Sequence, residues 1–453
     1  MRQPTASMAS PMDATQRKRI MAVCIATLAT LALTIAVLAI GGRPDPPSMR
    51  AMATLLAGPW QFHTGDDPHW AAPGLDDRDW ETIDMTPLPG SHDGDVGRPD
   101  YVDGWMAHGH PGHHGYAWYR RAVTVPAAPA AWDILGPTLV EDGYELYWNG
   151  ELLGGSGRLG AHPRLVGTRP MRFALPGKAA GTRGVLAIRT FMLARSAPGT
   201  KGGGMHSAPI LAPQPVGAAL HRAQWERTVA GYVVDVIEPI GMLAVIGLAL
   251  GCFSRSSCKG FLAFACLALA LTAARRLNNA IVSWSDLQSL KTYSVLATVL
   301  WAPTSAGWAL AWNRWCGRPL RSIDALVVAS CVVGLAGALA HLPAWTGSSR
   351  YGSIVLFAVI AVRISRSGPM RMLALPTLAF VVAGLFGGEL LDPLGVPGIW
   401  FPFGIGVSRT QFIYAFWIPL LACLILATVL PGRTPPPREE AALRRSLPAD
   451  MPG

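Results

Sequence analysis

Four histidines lie within seven positions of the stretch AHGHPGHHGYAWYRR, residues 107–121: His108, His110, His113 and His114. Neutral imidazoles are good ligands for zinc or copper, so this spacing suggests metal binding. The glycines and the proline between the histidines indicate a flexible loop, and no cysteine lies nearby to complete a tetrahedral site. We therefore expect only weak, adventitious metal binding here, and no resident metal or other cofactor in the chain.

A second group combines indole rings with charged side chains: Trp70, Trp80, Asp76, Asp77, Trp118 and Arg120. An indole can stack on the apolar face of a sugar ring while carboxylates accept hydrogen bonds from the sugar hydroxyls. This interpretation predicts a ligand-binding face. In the alternative interpretation, the tryptophans pin a long loop onto a β domain and the aspartates cap turns.

A third group is polar although the sequence around it is apolar: Asp235, Glu238, Arg275, Arg276, Asn279, Glu389 and Asp392. Ionised side chains are costly inside a bilayer and usually pair in the interior of a helix bundle. The i, i+3 spacing within each pair of acids places both on one helix face. Their similar depth predicts one buried network, which couples an outer domain to the helices or forms a small polar pocket. The alternative is that these residues reach toward the interface or lock helices together.

Apolar spans and a β domain must position these groups. The chain is 51% hydrophobic and 15% charged, which is too apolar for an ordinary soluble protein. Residues 20–41 follow three basic residues and predict an uncleaved anchor, with a signal peptide as the alternative. Residues 43–225 carry alternating runs and turn signals typical of an all-β sandwich. Seven further spans are predicted at 229–252, 260–284, 292–313, 322–341, 347–364, 372–392 and 410–430.

The distribution of Lys and Arg predicts the orientation of the chain. If residues 1–19 are cytoplasmic, eight Lys or Arg lie in the inner loops between the seven spans and three in the outer loops, as the positive-inside rule requires. The β domain is then periplasmic, residues 229–430 lie among the lipids of a bacterial inner membrane, and residues 431–453 are cytoplasmic. This topology explains the net charge of +10, so we expect no nucleic-acid partner. The sequence indicates no particular oligomeric state.

Three stretches of the β domain carry a resemblance to a known family: WQFHTGDDPHWAAPGLDDRDWETIDM (60–85), GYAWYRRAVTVP (115–126) and DGYELYWNGELLGGSGRLGAHP (142–163). In order and spacing they resemble the galactose-binding-like jelly roll at the N-terminus of family-2 glycoside hydrolases. The resemblance implies a jelly-roll fold and carbohydrate binding. Hydrolysis would need two spaced carboxylates in a separate catalytic domain, whereas this chain becomes apolar, so we do not expect an enzyme.

The order of anchor, outer β domain and seven spans resembles the bacterial seven-transmembrane receptors with diverse intracellular signalling modules. The resemblance implies a sensor that binds a periplasmic carbohydrate or envelope ligand. Because residues 431–453 are too few for a kinase, cyclase or phosphatase domain, we expect a separate cytoplasmic signalling partner. The alternatives are a transporter or channel that uses the intramembrane charges, and a degenerate receptor without output.

Overall fold

The computed structural model describes residues 29, 31–36, 51–94, 97–127, 131–160, 162–167, 169–193, 201–315, 317–367, 370–401 and 406–429. Residues 29 and 31–36 are helical and belong to the predicted anchor. The predicted cytoplasmic segments 1–19 and 431–453, and the rest of the anchor, lie outside the described residues.

The first half of the described chain forms two antiparallel sheets that pack face to face. Their ten strands are β1 (Thr54–Leu55), β2 (Pro59–Thr64), β3 (Glu81–Asp84), β4 (Gly115–Thr124), β5 (Trp132–Leu135), β6 (Gly143–Trp148), β7 (Glu151–Ser156), β8 (Arg172–Ala174), β9 (Arg183–Met192) and β10 (Ile210–Pro213). The larger sheet has the order β3-β2-β4-β9-β6-β7, and the smaller has the order β1-β10-β5-β8. The predicted β domain is therefore present.

The sandwich core follows from the two-residue alternation of the strands. Phe62 of β2 and Tyr119 of β4 are buried against Ile134 and Leu211 of the smaller sheet. Because successive side chains point to opposite faces, Trp118 projects from the outer face of the larger sheet into a separate cluster. The sequence run GYAWYRRAVTVP predicts Trp118 and Tyr119 on opposite faces of this strand, and the structure confirms it.

A tight hairpin joins β6 to β7. Asn149 and Gly150 occupy its two central positions with φ of 49° and 86°, between the paired residues Trp148 and Glu151. Positive φ at both positions is the geometry that Asn-Gly favours in two-residue hairpins. The dipeptide Asn149-Gly150 between YELYW and ELLGG predicts this hairpin from the sequence, and the structure confirms it.

The second half of the described chain is helical apart from a short hairpin of β11 (Ile399–Trp400) and β12 (Val407–Ser408). The helices are α1 (Gln214–Cys252), α2 (Lys259–Trp284), α3 (Leu290–Trp315), α4 (Arg321–Leu339), α5 (Pro343–Ser367), α6 (Arg371–Leu385), the one-turn α7 (Gly387–Leu390) and α8 (Arg409–Ala427). Consecutive helices are joined by short connections and pack side by side from α1 to α6, with α8 against α1 and α6.

Six helices among the described residues are long and apolar enough to cross a membrane, one fewer than the seven spans predicted between 229 and 430. The exception is the span predicted at 372–392, where α6 has only 15 residues. It ends because Phe386 leaves helical geometry, with φ of −126° and ψ of 29°, just before the helix-disfavouring pair Gly387-Gly388. In contrast, the predicted span 347–364, which has only a short apolar stretch between Arg350 and Arg363, lies within the long helix α5.

Helix α1 joins the two halves of the chain without interruption. It begins at Gln214, well before the predicted span 229–252, and its 39 residues extend over about 58 Å. Leu220, in its second turn, is buried against Leu135 and Ala212 of the smaller sheet. The early start was not visible in the sequence because the stretch HRAQWER, residues 221–227, is polar. The helix therefore leaves the sheet and enters the apolar bundle without a break, with Pro239 inside it.

The packing of α1 on the sheet predicts the effect of a side chain at Gly217. A Cβ atom there would lie 2.9 Å from the Asp133 carboxylate oxygen, whereas a Cβ at Gly247 of the same helix meets no atom within 4 Å. We expect Gly217→Val to lower the free energy of unfolding by about 1–3 kcal/mol through overpacking. Gly247→Val is the matched control, and thermal melting of both variants in nanodiscs provides the comparison. Equal melting temperatures would contradict the close contact.

Candidate functional site

The outer face of the larger sheet carries the predicted ligand-binding residues. The loop after β2 crosses this face and contains the 3-10 turn Pro68–Ala71. Trp70 lies edge-on to Trp80 and to Trp118, with ring centroids 5.2 Å and 6.3 Å away. Trp118 is fully buried, whereas Trp70 and Trp80 are half-buried. The cluster thus offers two indole edges to solvent, and Trp118 lies beneath them.

Arg120 holds this loop against the sheet. Its Nε donates to Asp77 Oδ2 at 2.8 Å, one terminal nitrogen donates to the Ala72 carbonyl oxygen at 3.0 Å, and the other donates to the Trp70 carbonyl oxygen. The side chain is 1% exposed. A buried charge needs such a set of partners, so Arg120 is placed to fix the loop and has no surface that a ligand could contact.

Arg189 of β9 forms a second buried ion group beside Arg120. It donates to both carboxylate oxygens of Asp66, at 2.7 and 2.6 Å, and to Glu145 at 3.0 Å. Burial alone would lower the pKa of Arg189, but these hydrogen bonds raise it above its ordinary value. Burial and the hydrogen bond to Glu145 also raise the pKa of Tyr147, which packs under the tryptophans. This network anchors the start of the loop.

The aspartates of the loop cap its turns. Asp67 accepts a hydrogen bond from the backbone N–H of His69 at 2.9 Å, which lowers the pKa of the carboxyl. Asp76 accepts two hydrogen bonds from Arg78, at 2.8 and 2.6 Å, which also lowers its pKa. These contacts match the structural interpretation of the group. A ligand role for the accessible members Trp70, Trp80, Asp76 and Asp77 stays a prediction.

The four histidines occupy the loop before β4 and point to different partners. His110 Nε2 lies 2.7 Å from Glu81 Oε2, whereas ring nitrogens of His113 and His114 contact backbone carbonyl oxygens at 3.2 and 3.1 Å. In the part of the chain that the structure describes, no group of three His, Cys, Asp or Glu side chains could hold a metal ion. Weak metal binding by His108, His110, His113 and His114 stays a prediction.

Within the helices, Arg276 joins the two acids of α1. It forms ion pairs with Asp235 and with Glu238, the latter at 3.0 Å, and both carboxylates are at most 2% exposed. Its guanidinium carbon also lies 5.2 Å from the ring centre of Tyr414 in α8. Arg276 therefore ties α1, α2 and α8 together at one level, as the i, i+3 spacing of the acids suggested.

The other predicted members of this network have separate partners. Glu389 pairs with Arg350 of α5, and Asp392 pairs with Arg409 at the start of α8 at 2.7 Å. Asn279 accepts a hydrogen bond from the Tyr293 hydroxyl at 2.9 Å. Instead of a single network, the structure thus shows an Arg276 cluster and two further ion pairs.

Arg275 lies between these groups. It is half-buried, has no ion-pair partner among the described residues, and has Arg276, Arg350 and Tyr414 as electrostatic neighbours. The neighbouring Arg276, and not Arg275, forms the ion pairs with both acids of α1, because adjacent residues on a helix point about 100° apart. Only one of the two can face α1.

Several functional side chains were missed from the sequence. Arg350 and Arg409 are two of the three basic residues that the positive-inside rule assigns to outer loops, yet they neutralise Glu389 and Asp392. Arg189 was also overlooked, although a single charge inside the apolar strand GVLAIRTFM is a usable signal of a buried ion pair. For Glu389 and Asp392, the acid was visible in the sequence and its partner was not.

No protein-family model and no curated protein matches the sequence. Among solved structures, Bacteroides uniformis β-glucuronidase 2 is similar at 19% identity, with 35% of this chain and 17% of the enzyme covered and a TM-score of 0.26. Faecalibacterium prausnitzii β-glucuronidase is similar at 17% identity, with 36% and 31% covered and a TM-score of 0.24. The chain spans less than a third of either enzyme's length. The likeness concerns one part of each enzyme and carries no information about catalysis in this chain.

Proposed function

We propose that this protein is a membrane sensor whose periplasmic β sandwich binds a carbohydrate or another envelope ligand. The sandwich has the jelly-roll type that the sequence motifs imply, the helices lie in a bacterial inner membrane as in the seven-transmembrane receptors, and a separate cytoplasmic protein receives the signal. No catalytic step is part of this proposal.

The continuity of α1 is the observation that carries the proposal. One end of this helix packs on the smaller sheet through Leu220, and its middle holds Asp235 and Glu238 in the Arg276 cluster. A second contact joins the Leu165 carbonyl oxygen to the backbone N–H of Leu290, 3.1 Å away, at the start of α3. A ligand that shifts the sandwich would therefore displace α1 and α3 together.

Transport is the competing function, because it too would account for charges inside the helices. In the structure, Asp235 and Glu238 share ion pairs with Arg276, and Glu389 pairs with Arg350. These pairs hold helices together, a role that needs no solute. Uptake of labelled solutes into vesicles, abolished in a Glu389→Gln variant, would favour transport over sensing.

Binding of the full chain in nanodiscs to an array of bacterial envelope glycans tests recognition. We expect specific glycans to bind, and Trp80→Ala to weaken their binding about tenfold, since stacking on one aromatic ring contributes about 1–1.5 kcal/mol. Trp345→Ala removes a 49% exposed indole from α5 and serves as the matched control. Absence of glycan binding, or equal loss in both variants, would contradict carbohydrate recognition at the loop.

A further inference from the structure

A cavity of about 680 Å³ lies where the β sandwich meets the helices. Its size falls within the range of about 300–1,000 Å³ that is typical of ligand pockets. The polar part of its wall consists mainly of basic side chains: Arg158, Arg164, Arg169, Arg172 and His221. The carbohydrate-binding loop at the outer face of the larger sheet contributes no residue to this wall. The cavity is thus a second candidate site.

The wall of the cavity has an excess of positive charge. Arg172 is neutralised by the buried Asp133, whose carboxylate oxygen lies 3.1 Å away, and Arg169 pairs with Asp286. Asp286 is the single carboxylate in the cavity wall. Among the described residues, Arg158 and Arg164 have no acidic partner, and the Arg164 side chain reaches only the carbonyl oxygen of Asp286, at 3.4 Å. Two guanidinium groups are left to attract an anion.

The backbone fixes Arg158 and Arg164 opposite each other. Each donates its backbone N–H to the carbonyl oxygen of the other at 2.9 Å, which forms an antiparallel bridge. Like charges directly opposite in such a bridge destabilise it. An anion between the two side chains would remove this repulsion, and the planar guanidinium fork matches the oxygen atoms of phosphate groups.

The cavity also lies at the edge of the apolar helices. Trp225 of α1 contributes to its wall, and Asp286 lies two residues after the end of α2 at Trp284. Tryptophan is enriched where a membrane protein meets the lipid headgroups. A phosphate group can therefore reach this position either from solution or as part of a lipid headgroup.

We propose that this cavity binds an anion that carries a phosphate group, held between Arg158 and Arg164. A phosphate group offers several acceptor oxygens and up to about two negative charges, so it satisfies two guanidinium groups better than one carboxylate would. Arg169 and Trp225 form the side nearest the helices. Because the cavity wall includes both the sandwich and α1, the anion is bound beside the junction between them. This proposal does not depend on carbohydrate binding at the loop.

The test uses the full chain in nanodiscs and two sources of phosphate. In the first arm, discs of phosphatidylcholine are titrated calorimetrically with inorganic phosphate and with glycerol 3-phosphate. In the second, the protein is purified from discs that contain phosphatidylglycerol, and retained lipid is counted by native mass spectrometry. The variant Arg158→Ala/Arg164→Ala is compared with Lys178→Ala/Arg183→Ala, which removes the same charge from exposed positions of the sandwich.

We expect the Arg158→Ala/Arg164→Ala variant to lose about tenfold or more in affinity for a soluble phosphate, or in retained phosphatidylglycerol, while the control variant behaves like the native chain. A loss in the first arm identifies a soluble anion as the ligand, and a loss in the second arm alone identifies a lipid headgroup. Absence of binding in both arms, or an equal loss in both variants, would overturn the proposal.

Discussion

Arg276→Leu is expected to lower the free energy of unfolding by about 3–5 kcal/mol, because it leaves two buried carboxylates without their counter-charge. Asp235 and Glu238 are at most 2% exposed, and Arg276 is the residue that forms an ion pair with both. Thermal and denaturant unfolding of the purified chain in nanodiscs measure this loss. Among the single substitutions proposed above for the helices, Arg276→Leu should cause the largest loss in the free energy of unfolding.

The neighbouring residue provides a matched control for this prediction. Arg275→Leu makes the same change one position away, at a side chain that has no ion-pair partner among the described residues. We expect it to alter stability much less than Arg276→Leu. Adding Asp235→Asn and Glu238→Gln to Arg276→Leu should restore most of the lost stability, since no unpaired charge then stays buried. Equal effects of the two arginine substitutions would refute the Arg276 cluster.

Arg120→Leu is expected to release the aromatic loop from the sandwich. It removes the hydrogen bonds to Asp77 and to the carbonyl oxygens of Trp70 and Ala72. Charge-assisted hydrogen bonds contribute about 1.5–3 kcal/mol each, so opening of the loop should become at least about tenfold more frequent. Trypsin cleavage after the exposed Arg78 reports this opening, because the bond must leave the folded surface to enter the protease.

Arg183→Leu is the control for the loop prediction, since it removes an exposed arginine from the first position of β9. The melting temperatures of Arg120→Leu and Arg183→Leu should differ much less than their rates of cleavage after Arg78. If cleavage after Arg78 proceeds equally fast in Arg120→Leu, Arg183→Leu and the native chain, the tryptophans hold the loop without Arg120. The indole cluster would then account for its order.

The sequence allowed the local structure to be predicted better than the partners of its charges. Alternation in β4, the Asn149-Gly150 turn and the i, i+3 acids of α1 are short-range patterns, and the structure retains all three. The arginine that pairs with Glu389 is Arg350, which lies more than thirty residues away in the chain and approaches because α5 packs near α7. Periodicity along one helix contains no information about such a long-range contact.

Two further differences have the same physical origin. Arg120 and Arg189 are buried although charged side chains are usually exposed, because carboxylates from other segments surround them. The early start of α1 at Gln214 arises because the sheet, and not the bilayer, buries its first turns, so hydropathy contains no sign of it. Tertiary contacts determined both features.

The far ends of the helices provide the most direct test of sensing. There, beyond the Arg276 cluster, the Ser256 hydroxyl donates to Thr428 at 2.9 Å and joins the segment after α1 to the end of α8. Hydrogen exchange of the full chain in nanodiscs, with and without a glycan found to bind, should show changed protection around both residues. Changes confined to residues 51–213, with α1 and α8 unaltered, would contradict the claim that the sandwich communicates with the helices.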